Sequence, residues 1–139
     1  YLIRVINRGG LPGTYRIKDK PSFDDDLEIE HAEYRINNGL NLLLNNNPGP
    51  NGWTLASNKI LNPFSVDSIF IILVSHFDLN PGSSGDQVYH VCKKNALGEY
   101  EAGNGLFNES LMDINNDGID DQRDTVCSDY EIYAQNLSI

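Results

Sequence analysis

Hydrophobic residues recur along this chain with two periods, and each period predicts a different element. Ile29, Ala32, Ile36, Leu40 and Leu43 follow one another at spacings of 3, 4, 4 and 3. That is one apolar stripe of an amphipathic helix. Ser22 stands before the stripe as an N-cap, and Asp24, Asp25 and Asp26 fill the first turn, where the helix dipole favours negative charge. The Asn-, Pro- and Gly-rich run 45–52 stops the pattern. Gly39 inside it costs about 1 kcal/mol relative to Ala and marks a bend or an end. The pattern therefore predicts a helix over 22–46.

From Trp53 onward the texture is that of strands. Trp53–Ala56 and Lys59–Leu61 are short candidates. Val66–Phe77 reads as the central strand, apolar on both faces, so that a layer is expected on each side. Gln87–Lys93 is a further strand carrying Cys92, and Leu106–Met112 is ambiguous. After residue 124, Val126, Tyr130, Ile132 and Ala134 alternate with Asp129 and Glu131 as a half-buried strand does. Before the helix, Tyr1–Ile6 reads either as a short strand or as the tail of a helix whose start is missing. Arg8–Gly13 is a turn-rich break and Thr14–Ile17 a short extended piece. The expected fold class is α+β, one amphipathic helix packed on a mainly antiparallel sheet. A chain of 139 residues is one domain. Its expected parts are an extended start over 1–21, the helix over 22–46 and a β-rich part over 53–139.

Charge narrows the choice of partner. Ten basic residues stand against twenty acidic ones, for a net charge of −10. Phosphate backbones need a basic surface, so a nucleic-acid partner is excluded. The imbalance is uneven, with Arg4, Arg8, Arg16, Lys18 and Lys20 near the start and nine acids over 101–139. One end suits an anionic surface and the other attracts cations. The longest apolar run, 69–74, is far short of the roughly 20 residues of a membrane-spanning helix. The chain starts at Tyr1 without Met or signal-peptide pattern, which reads as a processed or truncated product.

The two cysteines, Cys92 and Cys127, lie outside any C-x-x-C spacing, so a zinc ribbon is excluded. They are either two buried thiols or one disulfide. The disulfide is the preferred reading, and would add roughly 3–4 kcal/mol in the chain-entropy model. It suits an oxidising location outside the cytoplasm.

The most specific chemistry lies in the twelve residues from Asp113 to Asp124. Calcium takes six to eight oxygen ligands, which such a loop supplies from positions 1, 3, 5, 7, 9 and 12. Those positions here are Asp113, Asn115, Asp117, the carbonyl of Ile119, Asp121 and Asp124. Gly118 occupies the sixth position, where the tight turn needs a positive φ. The alternative is a solvated acidic turn, since Asp, Asn and Gly are ordinary turn residues. Carboxylates crowded in twelve residues repel one another without a cation, which favours Ca2+. The loop resembles those of EF-hands, dockerins and thrombospondin type 3 repeats. It departs from an EF-hand in having Asp120 at position 8 and Asp124 at position 12, with no second loop and strand texture after it. The resemblance implies a structural calcium staple in a β-rich domain and no calcium sensor. Cys127 follows the loop closely, so ion and disulfide are expected to clamp one corner.

Catalytic patterns are weak. His31, His76 and His90 occur without H-E-x-x-H or G-x-S-x-G. His76 with Asp78, or His90 with Cys92, would form half a hydrolase site at most, and ordinary surface histidines are the simpler reading. Asn108-Glu109-Ser110 and Asn136-Leu137-Ser138 are glycosylation sequons that leave modification open.

The order of these segments is similar to the soluble part of TadE-like proteins, pilin-like components of tight-adherence pili. The basic stretch Leu2-Ile3-Arg4-Val5 would be the stump of an N-terminal helix, followed by the helix through Glu28–Leu44. The strand Val66–Val74 and the segment Val88–Cys92 come next. The resemblance implies a pilin-like fold and a structural role in a surface filament. It implies self-association or other filament subunits as partners, and a membrane anchor upstream of Tyr1. The expected function is a calcium-stabilised extracellular structural domain without enzyme activity. A calcium-dependent adhesin or carbohydrate-binding module, displaying Trp53 or Tyr100, is the alternative. A small secreted hydrolase is the third.

Overall fold

Tyr15, Ile17 and Asp19 alternate inward along one strand while Arg16, Lys18 and Lys20 alternate outward, and this period of two governs the whole architecture. The computed structural model of the chain describes residues 1–77 and 91–129. The strands are β1 (Leu2–Ile6), β2 (Gly13–Pro21), β3 (Leu27–Ile36), β4 (Leu42–Leu44), β5 (Trp53–Leu61), β6 (Val66–Phe77), β7 (Asn108–Ile114) and β8 (Gln122–Val126). They form two antiparallel sheets, ordered β1-β6-β3-β4 and β5-β2-β7-β8. The sheets share one core. Val5, Ala32, Ile69 and Ile71 come from the first, and Tyr15, Ile17, Trp53, Leu55 and Leu61 from the second. This is the two-layer packing of a β-sandwich.

No helix occurs among the described residues, so the fold is mainly β and the expected α+β, pilin-like class is overturned. The segment expected as a helix over 22–46 instead forms β3, a turn and β4. The cause is a β-bulge between Ile29 and His31. Inward residues on β3 are Ile29, Ala32, Tyr34 and Ile36, all packed against the core. Plain alternation would place them two apart throughout. The extra residue, Glu30, makes the first interval three, and a bulged strand thereby imitates part of a helical stripe. Leu40 and Leu43, which completed the apparent stripe, are 86% and 76% exposed. Between the strands Asn37 adopts φ 54°, and its amide nitrogen bonds Ser68 O at 2.7 Å.

Other expectations fare differently. Val66–Phe77 is a strand, as its apolar run implied, but the other sheet covers only one of its faces. Ile69 and Ile71 are buried, whereas Ile72 and Val74 on the opposite face are exposed. Phe70 on that face lies under the Arg35 guanidinium, 4.6 Å from the ring centroid. The two pieces of 53–61 are one continuous strand, and the start of the chain is a strand paired with β6 of its own chain. The strand expected at Gln87–Lys93 lies outside the described residues through His90, and 91–93 are not strand. The alternating segment from Tyr130 also lies outside the described residues.

Polar contacts at Asp67 tie the sheets together, Lys59 Nζ on β5 lying 3.8 Å from its Oδ2. Tyr15 Oη on β2 donates to Asp67 Oδ2 on β6 at 2.7 Å, and Asn37 Nδ2 donates to Asp67 Oδ1 at 2.7 Å. Burial, reinforced by the carboxylate it serves, pushes the Tyr15 phenol well above its ordinary range. It therefore stays a donor at all ordinary pH. Tyr15→Phe would leave Asp67 Oδ2 without its hydrogen-bond donor and with only the Lys59 ammonium 3.8 Å away, and is expected to cost about 1–3 kcal/mol in urea unfolding. A loss within the range of an ordinary surface substitution would show that the contact carries little.

Candidate metal centre

The twelve-residue acidic segment folds as the turn of the β7–β8 hairpin. Asn115 and Asn116 take φ values of 68° and 55°, and Gly118 takes 97°, the left-handed region that the sequence assigned to the glycine. Asp113 organises the turn. It is fully buried, and its Oδ1 and Oδ2 accept the amide N–H groups of Asp117 and Gly118 at 3.0 and 2.9 Å. Asp117 Oδ1 accepts from Ile119 N, and Asp121 Oδ2 accepts from Ile114 N. Asn115, Asp117, Ile119 and Asp121 are exposed.

Two features separate this turn from the ligand set read in the sequence. Asp113 already meets a cation, since Arg16 Nη2 lies 2.8 Å from its Oδ2. Asp124 lies on β8 opposite Ser110, whereas Asp113 lies opposite Arg16. Opposed residues share a face and successive residues alternate. Asp113 and Asp124, reached through positions 113 and 110 of β7, therefore stand on opposite faces of the sheet. The turn brings Asp113, Asp117 and Gly118 together and leaves Asp124 apart. The charge asymmetry of the chain closes on itself here. Arg16 and Lys18 both reach Asp120, at 3.5 and 3.7 Å, and Lys20 reaches Glu109 at 4.0 Å.

Cys92 and Cys127 are joined as a disulfide, with Cα atoms 5.9 Å apart. The bond is not at the corner of the acidic turn. Cys127 follows the last residue of β8, and the turn joins the other ends of β7 and β8. The disulfide packs instead on the segment before β7. A Cβ on Gly105, whose φ is 55°, would lie 2.9 Å from both Cys92 Sγ and Ser128 O. Only glycine allows that approach. Cys127 Sγ lies 3.4 Å from Asn104 O, and Leu106 N bonds Ser128 O at 2.9 Å.

Across that segment runs the stretch before β3. Ser22 N bonds Phe107 O, Gly103 N bonds Ser22 O, and Asp24 N bonds Gly105 O, at 2.9–3.0 Å. Directly after it come Asp24, Asp25 and Asp26. Their carboxylates each offer an oxygen within 4.8 Å of the others, so the three together could hold a metal ion. Among the described residues this is the one such grouping of three acids, histidines or cysteines. Sequence reasoning took these residues as the acidic first turn of a helix and missed the cluster. The alternation Leu27-Glu28-Ile29 that follows them was the signal for a strand.

Other candidate residues are dispersed. His76 pairs with Glu28 and Glu30 at 3.4 and 3.3 Å, and His31 with Glu33 at 3.2 Å. His90 and Asp78 lie outside the described residues, as does the sequon at Asn136. Trp53 is buried and donates to Asn45 O at 3.0 Å, so it offers no platform to a ligand. Lys94 sits over the Tyr100 ring, 4.7 Å from its centroid. Asn108 is buried, with Nδ2 donating to Asp19 Oδ1 at 2.7 Å, which leaves no room for a glycan on that nitrogen.

Asp19 is itself fully buried and also accepts Ser110 Oγ at 3.2 Å. Burial pushes its carboxyl up to about 6, against the lowering effect of the hydrogen bonds from Asn108 and Ser110. A carboxyl whose folded value is raised favours folding while protonated, and that advantage disappears as pH rises through about 6. The stability of Asp19→Asn relative to the parent should therefore increase from about pH 4 up to about pH 6 and level off above. Thermal melts across that range would read it, and a difference independent of pH would mean that Asp19 ionises normally.

Comparison with family models, with curated proteins and with solved structures gives no match. Function is therefore argued from the sites of this chain alone.

Proposed function

We propose that this chain is a structural domain of a surface assembly outside the cytoplasm, held by its disulfide and by calcium, and without enzyme activity. The Cys92–Cys127 disulfide carries this reading, because such bonds form and persist in oxidising compartments. Extracellular compartments also supply the high calcium that weak extracellular sites require. No helix among the described residues is long and apolar enough to cross a membrane.

Calcium has a place at the β7–β8 turn. Asn115, Asp117, Ile119 and Asp121 are exposed residues on it, and Gly118 gives the turn its shape. An ion there would be held by Asn115, Asp117, Ile119 and Asp121 and by water, with Asp124 and the Arg16-paired Asp113 uninvolved.

Thermal unfolding of the non-reduced protein tests this reading. Millimolar calcium should raise the melting temperature above that in a chelator, since the ion binds only the folded chain. Asp117→Ala should lower the melting temperature in calcium and change it little in chelator. Equal losses in both conditions would remove calcium from the turn.

A further inference from the structure

A second place on the molecule calls for a cation more strongly than the turn does. Asp24 is 1% exposed. Its Oδ1 accepts the amide N–H of Asp26 at 2.8 Å. Its Oδ2 is buried and meets no hydrogen-bond donor. A buried carboxylate oxygen without donor or counter-charge is strongly unfavourable. Asp113 escapes that cost through Arg16. Asp24 and Asp25 have no such partner, since no basic side chain among the described residues forms an ion pair with either. The neighbouring carboxylate of Asp25 makes the imbalance worse, because like charges at this range repel.

A further unpartnered acceptor comes from the segment before β7, which bonds this stretch. Asn104 is 8% exposed, and its Nδ2 donates to Ala102 O and Glu101 O at 3.2 and 3.4 Å. Its Oδ1 is buried and meets no donor. The bonds from Gly103 N to Ser22 O and from Asp24 N to Gly105 O set Asn104 beside the acidic cluster. The unmet oxygen of Asp24 needs a positive centre, not another acceptor.

We infer that Asp24, Asp25 and Asp26, with Asn104 beside them, form a cation site of the calcium class, separate from the β7–β8 turn. The donors are all oxygens, and no thiolate or imidazole takes part, which selects a hard cation over zinc or copper. Calcium takes six to eight oxygens in flexible geometry, and three successive aspartates on one turn suit it better than the strict octahedron of magnesium. The ion would close the end of the sandwich where the disulfide already holds Asn104 and Gly105 from behind. The site stands on Asp24 and its neighbours and does not depend on calcium at the turn.

Calcium titration of the chelator-treated, non-reduced protein, followed by calorimetry, tests the assignment. Asp24→Asn and Asp25→Asn should each weaken calcium binding at this site at least tenfold. Asp117→Ala should leave that affinity in place. Asn at position 24 keeps the acceptor for the Asp26 N–H while removing the charge. Asp24→Asn should therefore melt no lower than the parent in chelator, and lose the part of the calcium-dependent rise in melting temperature that Asp117→Ala retains. Asp25 is exposed, so its variant folds independently of any buried role. Calcium affinity unchanged in both variants overturns the site, as does binding lost entirely through Asp117→Ala. The second outcome would leave the calcium-held domain standing with its ion at the turn.

Discussion

Buried aspartate is the constraint around which this sandwich is built. Asp19, Asp24, Asp26, Asp67 and Asp113 are all inside, where an ionised carboxylate is tolerated only with close compensation. The compensations differ in kind. Asp67 is met by a phenol and the Lys59 ammonium from the opposite sheet and by an amide from the turn after β3. Asp113 is met by two amide groups of its own turn and by a guanidinium across the ladder. Asp19 receives an amide and a hydroxyl, and its raised value means that protonation relieves what these leave unmet. Asp24 has one oxygen answered by the chain and one left over. The same problem is thus met by neutral donors, by internal cations and, on the inference above, by an ion from solution.

This arrangement explains why an acidic chain folds without a large basic surface. Its basic residues are few, and β2 lines up Arg16, Lys18 and Lys20 on one face against Asp113, Leu111 and Glu109 of β7. What looks in sequence like a basic beginning and an acidic end becomes one paired ladder. Long-range charge separation, which would favour an anionic surface at one end, is largely cancelled there.

Much of the fold was legible wherever hydrophobicity alone decides. The run through Val66–Phe77 is too apolar and β-branched to be other than a strand, and the Asn-Gly-rich turn after Asp113 announces itself by residue type. The pairing of Cys92 with Cys127 was one of two readings, preferred because the chain suits an oxidising location, and it is present. The helix was the failure, and its reason is local. A single bulge shifts the inward phase of β3 by one residue, and exposed Leu40 and Leu43 happened to extend the false stripe. The sequence contains no marker for that bulge. Asp24–Asp26 were misread for the same reason, since acids before a helix need no further explanation. The turn at 113–124 was legible as a turn, with its glycine at the right position. Which face Asp124 would take depended on the β7–β8 register, which residue spacing within a loop does not encode. Burial of Asn108 and Asp19 was equally hidden, because polar side chains enter a core only when partners from distant strands meet them.

The position of the disulfide has a mechanical consequence. It links the residue chain just after β8 to a point well before β7. Tension drawn along the backbone would pass from Cys92 to Cys127 through the sulfur atoms and bypass everything between them. β7, β8 and the acidic turn lie within that bypassed loop, as does Asn104. They could not be drawn out into extended chain by a pull at the ends, however far the remaining strands were unravelled. A domain that works under load would keep this part of itself short.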